Sequence, residues 1–192
     1  MIDLTNKEAV EELVKSCVKN DQKSQQIFYK MFYGKMMTVC MRYSRNREEA
    51  QDILHDGFIK VFSKLKGFEN KGSLEGWVRR LIVNNAIDHV RSRKDFYLQN
   101  GEDDFADHIA DETNDMIETE RLKQEKAEKV ISLIQYLSPA YKTVFNMFVI
   151  ENMSHQEIAE HLEISVGTSK SNLAKAKMKL KELFEQHFRN DE

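Results

Sequence analysis

One proline, Pro139, stands in 192 residues, beside only seven glycines and two cysteines. That shortage of turn residues, with Leu, Ile, Ala, Lys, Glu and Met in the majority, sets the expected fold class as all-α. Cys17 and Cys40 are isolated and form no CxxC pair, so two reduced thiols are expected. No apolar run approaches the roughly 20 residues that a membrane span needs. The opening stretch "MIDLTNKEAVEELVKSCVKND" lacks a basic segment leading into an apolar one, so no signal peptide is expected, and the cytoplasm is the expected location. There is no Gly-rich phosphate loop, no GxSxG and no Cys–His–Asn constellation. In "HQEIAEH" the two histidines, His155 and His161, are six apart, about 240° round a helix, and cannot share a metal as an i, i+4 pair does. No catalytic residue, metal, cofactor or small-molecule substrate is therefore expected.

Net charge is −3, which at first speaks against a nucleic-acid partner. Its distribution reverses that impression. Residues 101–120 hold nine acids and no Lys or Arg, and without them the chain is net positive. The basic residues gather in two blocks, around Lys60–Lys94 and around Lys170–Lys181, on either side of this acidic middle.

Apolar periodicity predicts helices over about 5–20, 22–43, 47–66 and 73–93. In the first, Thr5 and Glu8 have capping-box spacing, and Val10, Leu13, Val14, Cys17 and Val18 form the apolar face. The second carries Ile27, Phe28, Met31, Phe32, Met36, Val39 and Cys40. The third buries Ile53, Leu54, Phe58, Val61, Phe62 and Leu65 and is expected to stop at Gly67. Like charge and weak periodicity make 95–120 a linker. Helical pattern returns over about 119–135. Ser138 and Pro139 then give a cap and first-turn signal for another helix. A short helix "SHQEIAEHL", a tight turn "EIS" and a long helix from Val166 to Phe184 complete the chain.

That last pair has helix-turn-helix spacing. Ile158, Leu162 and Ile164 surround the turn, Ala159 permits close approach, and Ser169, Leu173, Ala176, Leu180 and Leu183 continue one stripe. Thr168, Lys170, Ser171, Asn172, Lys175 and Lys177 are left outside it. The start of the helix is small and polar, and its free N–H groups and positive dipole end suit a phosphate. Small side chains let a helix enter the major groove, where Asn and Lys reach base edges.

The fourth helix, "SLEGWVRRLIVNNAIDHVRSRK", shows the same division. Val78, Leu81, Ile82, Ala86 and Val90 make a buried stripe, with Trp77 read as core. Arg80, Asn84, Ile87 and Arg91 fall on another face, beside Arg79, Asp88, Arg93 and Lys94. Asn is a middling-to-poor helix former, so adjacent Asn84 and Asn85 ask for a reason. Base-edge or sugar-phosphate bonding is one, and plain solvation, for Asn85 above all, is the other.

The stretch "EEAQDILHDGFIKVFSKLKGF", a W…R…N…D…R helix and a terminal helix-turn-helix, in this order, resemble the bacterial RNA polymerase sigma factors of the sigma-70 family, extracytoplasmic function (ECF) type. The resemblance covers nearly the whole chain. It implies a region 2-like domain over 1–94, the acidic linker over 95–120, and a region 4-like domain over 121–192. It implies core polymerase binding through Asp52, His55, Asp56 and Lys60. It implies reading of the melted −10 element by Arg80, Asn84, Asp88 and Arg91, with an extruded base held by the loop Glu69, Asn70, Lys71, Gly72 and Ser73. Thr168, Lys170, Ser171, Asn172, Lys175 and Lys177 would face the −35 duplex. Partners implied are core RNA polymerase, promoter DNA and an anti-sigma factor, with membrane anchoring as one form of the last. The polymerase, not this chain, would do the chemistry. Three residues depart from the usual pattern: Glu163 where many members have Gly at the turn, Val83 for a basic residue, and Asn172 for a larger one. No further domain is expected beyond Glu192. A stand-alone helix-turn-helix repressor or activator would explain 138–184 but would leave "QDILHDGFIKVF" and the Asn84 helix without a role.

Overall fold

The computed structural model describes residues 6–93 and 133–188, and every regular element among them is helical, as the composition predicts. The chain divides into two compact units, Met1–Ser92 and Arg93–Glu192. The linker over 95–120, most of the helix expected over 119–135, Thr5 and Lys94 lie outside the described residues.

Among the described residues, the first unit has four α-helices: α1 Lys7–Val18, α2 Gln22–Met41, α3 Arg47–Lys64 and α4 Leu74–Ser92. Asn6 caps α1 in place of the expected Thr5, accepting from the N–H groups of Glu8 and Ala9 at 3.1 and 3.2 Å. Such a cap contributes about 1 kcal/mol. Val10, Leu13 and Cys17 are buried, whereas Val18 at the last position is 37% exposed. Ile27 is likewise outside the core, 48% exposed, because it sits about 100° round α2 from the fully buried Phe28. Phe28 meets Phe32 and Phe62 at ring separations of 4.9 and 5.5 Å. Gly67 does not end α3 as a left-handed cap. A 3₁₀ turn, Leu65–Gly67, does so, with Phe68 N–H donating to Leu65 C=O at 3.1 Å.

Helix α4 packs against both α2 and α3. Burial consequently covers most of its circumference, taking in Val78, Ile82, Val83, Asn85, Ala86, Ile87 and Val90. Gly57 permits the approach of α3: a Cβ there would lie 2.6 Å from Ile82 Cδ1. Fully burying one Ile or Phe contributes about 1.5–3 kcal/mol, and this three-helix junction holds Phe28, Phe32, Ile53, Ile82 and Ile87 at no more than 0% exposure. Both cysteines are free and buried, and burial raises their thiols to about 11 for Cys17 and about 12 for Cys40, so neither forms a thiolate near neutrality.

In the second unit, α5 Pro139–Phe145 runs into a π-helical turn, Asn146–Ile150, followed by α6 His155–Leu162 and α7 Val166–Phe188. Ser138 occupies the cap position of α5 but its side chain makes no capping bond, so Pro139 alone carries the start signal. The capping box stands at α6, unforeseen: Ser154 Oγ accepts from Glu157 N–H at 3.2 Å and Glu157 Oε2 accepts from Ser154 N–H at 2.7 Å. Donation from the Ser154 N–H, and then from its hydroxyl at 2.8 Å, holds the Glu157 carboxyl below its ordinary range. Glu163 ends α6 at φ 54°, ψ 42°. The other non-glycine residues at positive φ among the described residues, Asn20, Asn70 and Asn152, all carry the side chain that tolerates this region best. Ile134, Leu137 and Ala176 are buried together, with Tyr141, Phe145 and Leu180 packed round them.

Candidate nucleic-acid and polymerase interfaces

What α4 leaves uncovered is a strip about 100° wide. It carries Arg80, Asn84, Asp88 and Arg91, exposed or half-exposed, with half-buried Trp77 on the same side. Two expectations are corrected. Ile87, assigned to this face, is wholly buried, because α2 and α3 both cover α4 and the uncovered strip is narrower than a one-sided helix would have. Asn85, whose plain solvation was weighed, is 6% exposed and its Nδ2 donates to the Ile53 carbonyl of α3 at 2.8 Å. The adjacent asparagines thus divide: Asn85 ties two helices together and Asn84 remains on the strip. Trp77 stands over Phe68 at 5.5 Å between ring centres.

Asp88 is held between cations, 3.5 Å from Lys60 Nζ and 3.2 Å from Arg91 Nη2. A bare carboxylate would repel a phosphate. Between Lys60 and Arg91 it instead orients two cations, although exposed pairs of this kind contribute under about 1 kcal/mol. Lys60, assigned by resemblance to the polymerase face, therefore also borders the α4 strip.

The loop after α3 contains two left-handed residues, Asn70 at φ 56° and Gly72 at φ 99°. Lys71 pairs with Glu69 at 2.8 Å, and Ser73 Oγ accepts from Gly76 N–H at 3.3 Å at the start of α4. Asn70 Nδ2 donates to Glu11 Oε1 of α1 at 2.8 Å. Between α1 and this loop lies an open groove of about 440 Å³ with Val14, Leu65 and Phe68 as apolar wall and Lys15, Lys19 and Lys66 at its rim.

On α3, Asp52, His55, Asp56 and Lys60 are all exposed and share one side of the helix. Ile59 is exposed among them at 57%. Sequence reasoning missed it, yet the signal was present: Ile59 falls off the stripe formed by Ile53, Leu54, Phe58 and Val61. An apolar residue ringed by charge is what a desolvated interface centre looks like.

On α7 the stripe Ser169, Leu173, Ala176 and Leu183 is buried, and the six expected DNA-facing residues lie outside it. They do not share one side. Thr168, Asn172 and Lys175 flank one edge, and Lys170 and Lys177 flank the other, Lys177 lying about 200° on from Lys175. Between the edges runs a ridge of small exposed residues, Gly167, Ser171 and Ala174, ending at Met178, 63% exposed. Ser165 Oγ accepts from Thr168 N–H at 2.9 Å and so takes up one donor of the helix start. His155 Nδ1 lies 2.9 Å from the hydroxyl of the wholly buried Ser169, fastening α6 to α7. Its ring stacks on Phe148 at 4.6 Å, and Lys177 Nζ stands 6.0 Å above that ring. Lys175 Nζ stands 5.9 Å above Tyr141.

Two helical units, each presenting one exposed polar helix bordered by cations, the second within a helix-turn-helix, have the architecture of a DNA-binding protein. Its family follows from comparison. A family model described as Sigma-70 region 2 matches residues 28–96, and one described as Sigma-70, region 4 matches 127–180, together well over half of the chain. The chain belongs to the sigma-70 family, as an ECF-type sigma factor. It is 25% identical over 172 residues to the ECF RNA polymerase sigma-E factor of Haemophilus influenzae, covering 86% of this chain and 89% of that one. It is 26% identical over 181 residues to the ECF RNA polymerase sigma factor SigW of Bacillus subtilis, covering 90% and 95%. Among solved structures, the sigma factor RpoE in complex with the anti-sigma factor NepR from Bartonella quintana is similar at TM-score 0.48 and 17% identity, covering 83% of this chain and 96% of that one. Helix α1 precedes the region 2 match.

Proposed function

We propose that this sigma factor binds core RNA polymerase and directs promoter-specific initiation with a division of labour between its units. The α3 face of Asp52, His55, Asp56 and Lys60, centred on Ile59, docks on the polymerase. The α4 strip of Arg80, Asn84, Asp88 and Arg91 meets the melted −10 strand. The loop Glu69, Asn70, Lys71, Gly72 and Ser73 traps an extruded base, an unstacking that costs a few kcal/mol and is offset by pocket contacts. The small-residue ridge of α7 enters the −35 major groove, where Thr168, Asn172 and Lys175 on one edge, and Lys170 and Lys177 on the other, reach base edges and the two phosphate backbones, with Ser171 on the ridge.

The region 2-like part is taken as 1–94 and the region 4-like part as 121–192, with 95–120 joining them. The protein acts in the cytoplasm and is not itself an enzyme, because the bond-forming step belongs to the polymerase. An anti-sigma factor is the partner that would hold it inactive. The observation that carries this reading is the presence of both reading regions in one chain, in the family's order, each with its polar helix face uncovered.

Run-off transcription with core enzyme on a promoter library is the test. The full chain should select a −35/−10 pair, and Asn172→Ala should relax the preference at one −35 position by about 1–3 kcal/mol. Ile59→Glu or Asp56→Lys should weaken core binding in titration while leaving the melting temperature unchanged. A chain that binds DNA alone as a dimer and ignores core enzyme would be a stand-alone regulator instead.

A further inference from the structure

Helix α1 has no part in the reading just given, yet it touches the strand-trapping loop. We infer that Glu11 is a positioning residue for promoter opening, acting through Asn70. The inference rests on the reading of 69–73 as the loop that traps the extruded base.

Two residues of the loop, Asn70 and Gly72, sit at positive φ two positions apart. Gly72 has easy access to other conformations, and among the described residues Glu69 and Lys71 pair with each other at the surface. Within 69–72, the one hydrogen bond to another helix among the described residues is that from Asn70 Nδ2 to Glu11 Oε1, 2.8 Å long and spanning 59 positions in sequence. The carboxylate has no proton to give, so the amide must turn its NH₂ toward it, and that sets the orientation of Asn70. Glu11 is itself steadied: its other oxygen lies 3.3 Å from Lys15 Nζ one turn on. The groove of about 440 Å³ lies between these same two elements, bordered by Glu11 and Lys15 on one side and by Phe68, Glu69 and Asn70 on the other. A loop that must receive an unstacked base gains from being held in its receiving shape beforehand, because ordering it at the moment of opening would subtract from the energy of trapping. Glu11 supplies that hold from outside the segment that matches region 2.

The test uses the full chain with core enzyme, on a duplex promoter and on the same promoter pre-melted at −10, with permanganate reactivity and run-off product as readouts. Glu11→Ala should lower opening of the duplex about fivefold, the effect of one charge-assisted hydrogen bond at a half-exposed site. It should leave the pre-melted template, core affinity and the Trp77-reported melting midpoint unchanged. Glu11→Gln keeps an acceptor and should recover most of the opening. Asn70→Asp sets two carboxylates together and should lose at least as much as Glu11→Ala. Asn70→Ala combined with Glu11→Ala should lose no more than Asn70→Ala alone, because Glu11 acts through Asn70. Parental opening by Glu11→Ala, equal loss on both templates, or losses that add in the double alanine variant would each overturn the inference while the parent still opens the duplex. A parent that opens no duplex with core enzyme would overturn the underlying function instead, and this inference with it.

Discussion

The polar contacts that hold the two proposed reading helices differ in their range along the sequence. In the first unit, α4 is fixed by contacts distant in sequence: Asn85 to Ile53, His89 to Glu49 at 3.2 Å, and Glu75 to Lys35 at 2.6 Å. In the second, the polar contacts that hold α7 are to near neighbours, His155 to Ser169 and the Ser165 cap, while its apolar stripe packs on Ile134, Leu137 and α5. A helix wedged between two others keeps only a narrow strip for its ligand. A helix packed mainly along one stripe exposes a broad face with two edges. The narrow strip suits a single strand, whose bases lie along one line. The two-edged ridge suits a duplex groove, which has a phosphate backbone on either side.

Substitutions can break this comparison, and the largest effect is expected at the wedge. Gly57→Val puts side-chain atoms where Ile82 Cδ1 already stands, and Ile82 is wholly buried. Overpacking of this kind costs about 2–3 kcal/mol. Trp77, the only tryptophan, reports the first unit in a urea titration. A midpoint equal to the parent's would mean that α3 and α4 are not pressed together at this glycine.

The adjacent asparagines should separate next. Asn85→Ala removes a buried hydrogen bond between α3 and α4 and should cost about 1–2 kcal/mol of stability. Asn84→Ala should leave stability nearly untouched and impair opening of a duplex promoter more than use of a pre-melted one. Equal destabilisation by the two would place both in the core, and the strip would be narrower still.

These pairs also mark what could be read from sequence. Periodicity located every helix among the described residues to within a few positions, apart from the π-helical turn at Asn146–Ile150, which has no hydrophobic period of its own. It located the stripe of α7, because that stripe is one-sided. It failed for Ile87 and Asn85, because a helix covered by two neighbours buries more than one stripe, and nothing within α4 reveals the second neighbour. Ile59 was missed for another reason: it lies off the buried stripe and was assigned to neither face. Glu163 was flagged through the resemblance, as a departure from the glycine many members carry at the turn, and it does adopt positive φ.

The cap of α6 should respond to pH. Ser154→Ala removes the cap of α6 and should cost about 1 kcal/mol near neutrality. The Glu157 carboxyl in the same box has its pKa lowered in the fold, by hydrogen bonds from the Ser154 backbone and then its side chain. Its contribution is therefore fully present above the pKa of the unfolded chain and is lost as pH falls through the folded value. The stability gap between parent and Ser154→Ala should narrow on acidification, as followed by circular dichroism. A gap constant down to pH 3 would mean that the carboxylate does not support the cap.

The smallest expected effect tests the two-edged ridge itself. Lys175 and Lys177 leave α7 on opposite edges, over Tyr141 and Phe148 respectively. If the ridge sits in a major groove, each edge meets a different backbone, and each lysine displaces counterions independently. Each alanine substitution should then lower the slope of log K against log salt by about 0.9, equally on every −35 sequence, and the double substitution by about twice that. A helix lying against one backbone gives another pattern: one lysine carries a slope change and the other none. The measurement is holoenzyme binding to −35 duplexes over a salt series, with both single variants and the double. Slopes for Lys177→Ala indistinguishable from the parent's, beside a full change for Lys175→Ala, would reduce the ridge to a single edge and remove the contrast with α4 on which the division of labour rests.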